Sequence, residues 1–212
     1  MEDALAFFVK PYAQASAWSI ILEVIAASCG IISVRYAMRE DVKVYPIGIV
    51  STLTYVYITY RAVLYGDMLI NLYYTGMSFY GWYRWTHPEG DQRELPISKA
   101  LRKDGLKTGL IFFTSLLFVV AVYAYAHKFY RYTSYVDTLT TALFFSGMWL
   151  MANKKIENWH VWIVADSISV PLYFAKGLGF TALQFGVFTV LALYGLRDWK
   201  RAYAAQTTDR RS

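Results

Sequence analysis

The chain has 212 residues, 57% of them hydrophobic and 18% aromatic, with a mean hydropathy of +0.30 and a net charge of +6 from 21 Lys+Arg against 15 Asp+Glu. The charges collect at the edges of long uncharged runs, which excludes a soluble helical core, because that much apolar length leaves too little polar surface to cover it. Nucleic acid is set aside as well, since the basic residues follow the connections between apolar runs rather than forming one patch.

In chain order, residues 1–17 carry Glu2 and Asp3 and lack the basic start and long apolar run of a cleaved signal peptide, so they read as an N-terminal segment. Spans follow at 18–34, 44–62 and 67–85, the first holding Glu23 and the single cysteine, Cys29, which rules out an intrachain disulfide. A polar connection over 86–107 contains the breakers His87-Pro88, Gly90 and Pro96. One span at 106–127 comes next, and three more at 132–152, 158–175 and 178–197, with Asp137 and Asp166 as acids inside them. A hydrocarbon core takes about 17–25 helical residues, so the expected fold class is an all-α integral membrane protein with seven transmembrane helices. Residues 202–212 read as a polar, disordered tail.

Alternate connections divide the basic residues 5 to 16. Lys10, Arg61, Lys128, Arg131 and Lys176 fall on the side of the N-terminus, and the others fall on the side of the C-terminus. Cytoplasmic loops are the basic ones, so the N-terminus is expected outside and the C-terminus in the cytoplasm, as an odd number of spans requires.

Residues 44–85 and 158–199 lie over each other at a constant shift of 114. Ile49-Val50 falls on Ile163-Val164, Val56 on Val170, and Tyr80-Gly81…Trp85 on Tyr194-Gly195…Trp199, while upstream Glu23 falls on Asp137. An odd span between two triads restores the orientation of the second, which gives parallel repeats in the 3+1+3 plan of SWEET-type carriers, with a substrate path between the copies. The expected organisation is an outer segment (1–17), a first three-helix repeat (18–85), a cytoplasmic loop with a linker helix (86–131), a second repeat (132–201) and a cytoplasmic tail (202–212).

The residues with chemistry are concentrated in span six, where Trp159, Trp162 and Asp166 stand at i, i+3 and i+7 on one helix face. Two indoles beside a carboxylate suit a flat organic cation. The plainer alternative is an interfacial aromatic belt, with Asp166 bonded to a neighbouring helix. Pro171 loosens the helix near Ser167, either as a hinge or as a static kink. The corresponding face of span two carries Tyr45, Gly48, Ser51, Thr52 and Tyr55, and span three adds Asn71, Tyr74 and Ser78. Asn71 and, in span seven, Gln184 are suited equally to a ligand's polar edge and to an interhelical bond. Glu23 and Asp137 occupy equivalent outer positions, which suggests a structural or gating task more than proton coupling, because no buried His or Lys on a span continues a relay. His87, His127 and His160 are scattered without metal-ligand spacing, and no zinc, nucleophile-elbow or Walker motif occurs, so neither an enzyme nor a metal or cofactor site is expected.

Over about 18–85 and 132–201 the chain resembles the PnuC-type vitamin transporters, best known for nicotinamide riboside uptake. The resemblance rests on Gly81-Trp82-Tyr83-Arg84-Trp85, on Lys155-Ile156-Glu157-Asn158-Trp159-x-x-Trp162, on Ile168-Ser169-Val170, on Glu23 and Asp137, and on the Gly195-to-Trp199 close of span seven. It implies a homotrimer in a bacterial cytoplasmic (inner) membrane with a path in each protomer. It also implies facilitated diffusion, drawn forward by a cytoplasmic kinase that phosphorylates the vitamin, and substrate contact at Trp159 and Trp162. Nicotinamide riboside members commonly carry Asn after the tryptophan pair, Gln in span three and Asn in span two, where this chain has Asp166, Asn71 and Ser51. The family also includes members similar to thiamine carriers, and thiamine is likewise a flat cation. Another class of function, a membrane-embedded enzyme or a non-transporting scaffold, remains as the alternative.

Overall fold

The computed structural model describes residue 13 and residues 16–62, 65–88, 94–125 and 132–209. Glu2, Asp3, Lys10, Gly90, Arg93, His127, Lys128, Arg131, Arg210 and Arg211, several of which enter the orientation count, lie outside the described residues. The described chain is helical throughout its long elements: α1 (Ala17–Met38), α2 (Val44–Arg61), α3 (Tyr65–Thr86), α4 (Arg102–Tyr125), α5 (Tyr132–Ala152), α6 (Glu157–Ala175) and α7 (Gly179–Asp209). By length and composition α1, α4 and α7 are apolar enough to cross a membrane. The other four run 18 to 22 residues but include the Tyr, Ser and Thr that face the interior of the bundle, which lowers their hydropathy without shortening them.

Three helix boundaries differ from the sequence reading, the first being that of α1, which runs to Met38 rather than 34. The helix that follows the polar connection starts at Arg102 rather than near 106, because the Asp104 carboxylate accepts the Leu101 N–H at 2.9 Å and pairs with Lys155 at 3.1 Å. The tail expected over 202–212 is instead helical to Asp209. Ala202-Tyr203-Ala204-Ala205-Gln206 is made of residues that continue a helix readily, and Tyr203 is held under the Lys99 ammonium, 5.6 Å from its ring centre.

Six helices close into a ring in the order α1, α2, α3, α5, α6, α7 and back to α1, while α4 packs on α5. The core gathers at one end of this ring. Ala37 and Met38 of α1, Val44 and Tyr45 of α2, Trp85 of α3, Met148 and Met151 of α5, Trp159 of α6 and Trp199 of α7 form one buried cluster. This end also holds Arg35, Arg39, Lys43, Arg84, Lys99 and Lys154, and is called the basic end below.

Two aromatic-on-glycine contacts set how closely the helices approach there. The Trp159 ring lies where a Cβ on Gly195 would stand 2.6 Å away, and the Tyr45 ring overlaps the place a Cβ on Gly81 would take. Tyr45 meets Trp85 edge-on at 5.1 Å, and Trp159 meets Trp199 edge-on at 5.5 Å. The turns beside them also match. Arg39, Glu40 and Asp41 donate to the carbonyls of Tyr36, Ala37 and Tyr36, and Asn153, Lys154 and Lys155 donate to those of Leu150, Met151 and Leu150, each bond 114 residues from its counterpart. Glu40 (φ 57°) and Lys154 (φ 47°) both occupy the left-handed region.

Gly81→Ala and Gly195→Ala should each lower the thermal unfolding midpoint in detergent by several degrees, the effect of overpacking a tight contact by about 1–3 kcal/mol. Gly76→Ala, whose Cβ would meet nothing within 4 Å, should leave it unchanged or raise it. Equal midpoints for all three variants would contradict the close approach at Gly81 and Gly195.

Candidate functional site

Side chains that meet across the ring, from helices that are not neighbours in it, mark its lumen. Tyr55 of α2 lies close to Gln184 of α7 and within electrostatic reach of Glu23. Tyr74 of α3 lies within reach of Asp166 and Tyr173 of α6, and Tyr173 within reach of Tyr55, Asp67 and Asp137. Gly30 of α1 faces Phe188 and Gln184 of α7, at 3.6 and 3.8 Å from where a Cβ would stand.

Asp166 is the tenth of the 19 residues of α6, so its carboxylate sits half-way along the bundle. It is 3% exposed, and among the described residues it makes no hydrogen bond and no ion pair. Thr52, the residue 114 earlier, shows how the same place is satisfied in the other triad. Thr52 and Thr75 share a 2.7 Å hydroxyl–hydroxyl bond, and each also reaches a backbone carbonyl of its own helix, Thr52 that of Ile49 at 3.3 Å and Thr75 that of Asn71 at 2.9 Å. On the Asp166 side, Thr189 likewise gives its proton to the Phe185 carbonyl at 2.9 Å and so has none for a carboxylate.

One turn toward the basic end, Trp162 lies over Gly147 of α5, 3.2 Å from where a Cβ would stand, and 5.6 Å from the Phe144 ring. Phe144 continues to Phe185 at 5.7 Å and Phe185 to Tyr173 at 4.9 Å, which makes an aromatic wall beside the carboxylate. The tryptophan pair divides here. Trp162 joins this wall, while Trp159, 2% exposed, packs between Gly195 and Trp199, and its Nε1 has no partner among the described residues.

The remaining sequence candidates take different places. Ser51 donates to the Ala26 carbonyl at 2.7 Å and thereby ties α2 to α1. Asn71 donates to the Asp67 carbonyl at 2.9 Å, within its own helix. Asp137 accepts from Tyr123 of α4 and from the Lys176 ammonium at 2.7 Å, joining α4, α5 and the α6–α7 turn at the end opposite the core. Pro171 lies within α6, which runs on to Ala175. Phe144 and Tyr173 were not singled out from sequence, although Tyr173 stands seven residues after Asp166 and so shares its face. No group of three His, Cys, Asp or Glu among the described residues is placed to hold a metal ion.

The arrangement offers one uncompensated carboxylate, an aromatic wall, and hydroxyl and amide groups on the opposite side. The family profile described as "Nicotinamide mononucleotide transporter" matches residues 20–201. The chain is 24% identical over 201 residues to the nicotinamide riboside transporter PnuC of Escherichia coli (strain K12), covering 84% of each protein. It is 26% identical over 174 residues to the riboflavin/roseoflavin transporter RibM of Streptomyces davaonensis, covering 80% of each. In three dimensions it is similar to the crystal structure of the vitamin B3 transporter PnuC, with a TM-score of 0.65 and 21% identity over 91% of this chain and 84% of that one, a likeness of fold.

The pair far from the core can be tested by stability alone. A double-mutant cycle with Asp137→Asn and Lys176→Met, read by unfolding in detergent, should give a coupling of about 0.5–3 kcal/mol, as expected for a partly buried ion pair. Additive effects would mean that the two charges act independently.

Proposed function

The chain belongs to the nicotinamide mononucleotide transporter family, and from that premise we propose that it imports nicotinamide riboside or a related cationic vitamin across a bacterial inner membrane. The observation that carries this reading is Asp166, a carboxylate 3% exposed and without a hydrogen bond or ion pair among the described residues. A charge at mid-depth in a bilayer costs at least ~2.5 kcal/mol, so it is retained where it meets a partner. Nicotinamide riboside carries its positive charge in a flat pyridinium ring. That ring lies against the Trp162 face with Asp166 as counter-ion, while Thr52, Tyr55 and Gln184 supply acceptors and donors for its carboxamide and ribose. Tyr74 closes the site from α3. Ser51 and Asn71 take supporting places, because their side chains are engaged with backbone carbonyls.

Thiamine is the second reading, favoured by the same observation. Its thiazolium is a flat cation, and Asp166 replaces the Asn that nicotinamide riboside members commonly carry. Riboflavin, named for the Streptomyces relative, is uncharged and leaves Asp166 uncompensated.

Transport runs as facilitated diffusion, with cytoplasmic phosphorylation trapping the vitamin as a charged product. None of the lumen residues named above is His or Lys, so they offer no continuing proton relay. All seven helices span the membrane in a 3+1+3 parallel repeat. This plan is supported by the matched turns at Glu40 and Lys154 and by the ring contacts, in which α1 on α7 becomes α5 on α3 when the triads exchange. The basic end faces the cytoplasm, on the strength of the 5-to-16 division of Lys and Arg. The chain works as a homotrimer beside a cytoplasmic vitamin kinase.

Counterflow of labelled vitamin into proteoliposomes should proceed with no imposed ion gradient, and a strict requirement for a sodium or proton gradient would rule out the facilitator mechanism. Asp166→Asn keeps the shape and removes the charge, so affinity for the cationic vitamin should fall by roughly 10- to 150-fold, the worth of a charged contact of about 1.5–3 kcal/mol. Trp162→Ala should weaken binding comparably. Stronger nicotinamide riboside binding in Asp166→Asn would assign thiamine or another vitamin to the native chain, and unchanged binding of every vitamin would remove Asp166 from the site.

A further inference from the structure

We infer that Glu40 and Lys154 form the gate at the basic end of the lumen, a latch between the two triads that must part for substrate to leave on that side. The inference rests on the transport reading above and adds to it where the path is closed and by which groups.

The two residues occupy equivalent turns, 114 apart, and pair with each other. The Lys154 ammonium stands 3.3 Å from a Glu40 carboxylate oxygen and 4.6 Å from the centre of the Trp85 ring. Their backbones give a second reason to assign a task to the side chains. Both residues sit in the left-handed conformation after a helix, a position that glycine fills most easily and where another residue is strained. A glycine at either turn would relieve that strain and lose the pair, so the cost is held by the charges.

Burial makes the pair a two-state element. The Lys154 side chain is 3% exposed and that of Glu40 is 25% exposed, so water reaches the pair from the glutamate side. Withdrawing Glu40 with the turns still closed would leave a buried, uncompensated ammonium, which is the most unfavourable arrangement. Two arrangements are stable: turns together and charges paired, or turns apart and both charges hydrated. Beneath the pair, Trp85 and Trp199 face each other at 6.1 Å, one from each triad, so parting the turns also parts the apolar layer that seals the lumen. The Lys154 turn is anchored from outside the ring, since Ser98 donates to the Lys154 carbonyl and accepts from Ile156, both at 3.0 Å.

The test is an accessibility measurement that needs no substrate. In a Cys29→Ser background, a cysteine replaces Gly48, a position on the inner side of α2 where a Cβ would meet Ser33 and Ser78 at ordinary distances of 3.8 and 3.9 Å. An impermeant maleimide is applied from the side of the basic end in inside-out vesicles. Glu40→Gly, which breaks the latch and relieves the backbone, and Lys154→Met should both raise the labelling rate by about tenfold. The charge-swapped double variant, Glu40→Lys with Lys154→Glu, should return it to within about twofold of the parent, because the swapped lysine then lies over Trp199, the counterpart of Trp85. Thermal unfolding of each variant is measured alongside, and labelling rates are compared among variants that remain folded at the labelling temperature. Parent-like labelling in a folded Glu40→Gly protein, or swap labelling as fast as in the single variants, would overturn the gate. A parent that moves no candidate vitamin in counterflow would instead sink the transport reading, and the labelling rates would still report on the latch.

Discussion

Tyr45 on Gly81 and Trp159 on Gly195 are the contacts on which the rest of the bundle is arranged. Each lays a flat ring where a side chain on the facing helix would otherwise stand, so α2 approaches α3, and α6 approaches α7, to a distance fixed at one end. Trp85 and Trp199 then pack edge-on against those rings and tilted against each other, and the Trp199 Nε1 donates to the Ala37 carbonyl at 2.9 Å to bring in α1. The six-helix ring is therefore shut by dense apolar packing at the basic end. Packing of this kind does not deform gradually, which suits a seal that is either formed or broken.

The opposite end is held by different chemistry. Asp137, Lys176 and Tyr123 tie α4, α5 and the α6–α7 turn by polar contacts in partial contact with solvent, and Tyr173 lies near Asp137 and Asp67. Water can replace such contacts at small cost, whereas exposing the aromatic layer cannot be compensated in that way. The two ends thus differ in what parting them would cost, and the acids near the polar end make it favourable to a positive charge.

Between the ends, the two triads differ at positions 114 residues apart. Gly30, Ser33, Gly48 and Thr52 of the first correspond to Phe144, Gly147, Trp162 and Asp166 of the second. One wall of the lumen is small and hydroxyl-bearing, and the other is aromatic and charged. A substrate with a cationic ring at one end and polar groups at the other would bind in a single orientation, which a symmetric lumen would not impose. Thr52 has a hydroxyl partner in Thr75 while Asp166 has none in Thr189, so the second triad carries an electrostatic demand that its own residues do not meet.

The sequence by itself determined seven helices, because runs of about twenty apolar residues have no other way to satisfy their backbone in a membrane-like interior. It also contains the 114-residue correspondence and singles out Asp166 as a lone charge within such a run. A polar composition over 202–212 reads as a disordered tail, yet α7 runs on to Asp209, because its alanines favour helix more than its polar residues oppose it. What tertiary structure decided is which way side chains on one helix face point once neighbours arrive. Trp159 and Trp162 are one turn apart, yet Gly195 draws the first into the seal and Gly147 leaves the second beside the lumen. The meeting of Glu40 with Lys154 was decided there too. The shift that paired Glu23 with Asp137 also pairs these two, but only the packing of one triad against the other brings equivalent turns within 3.3 Å, and a linear sequence carries no record of that distance.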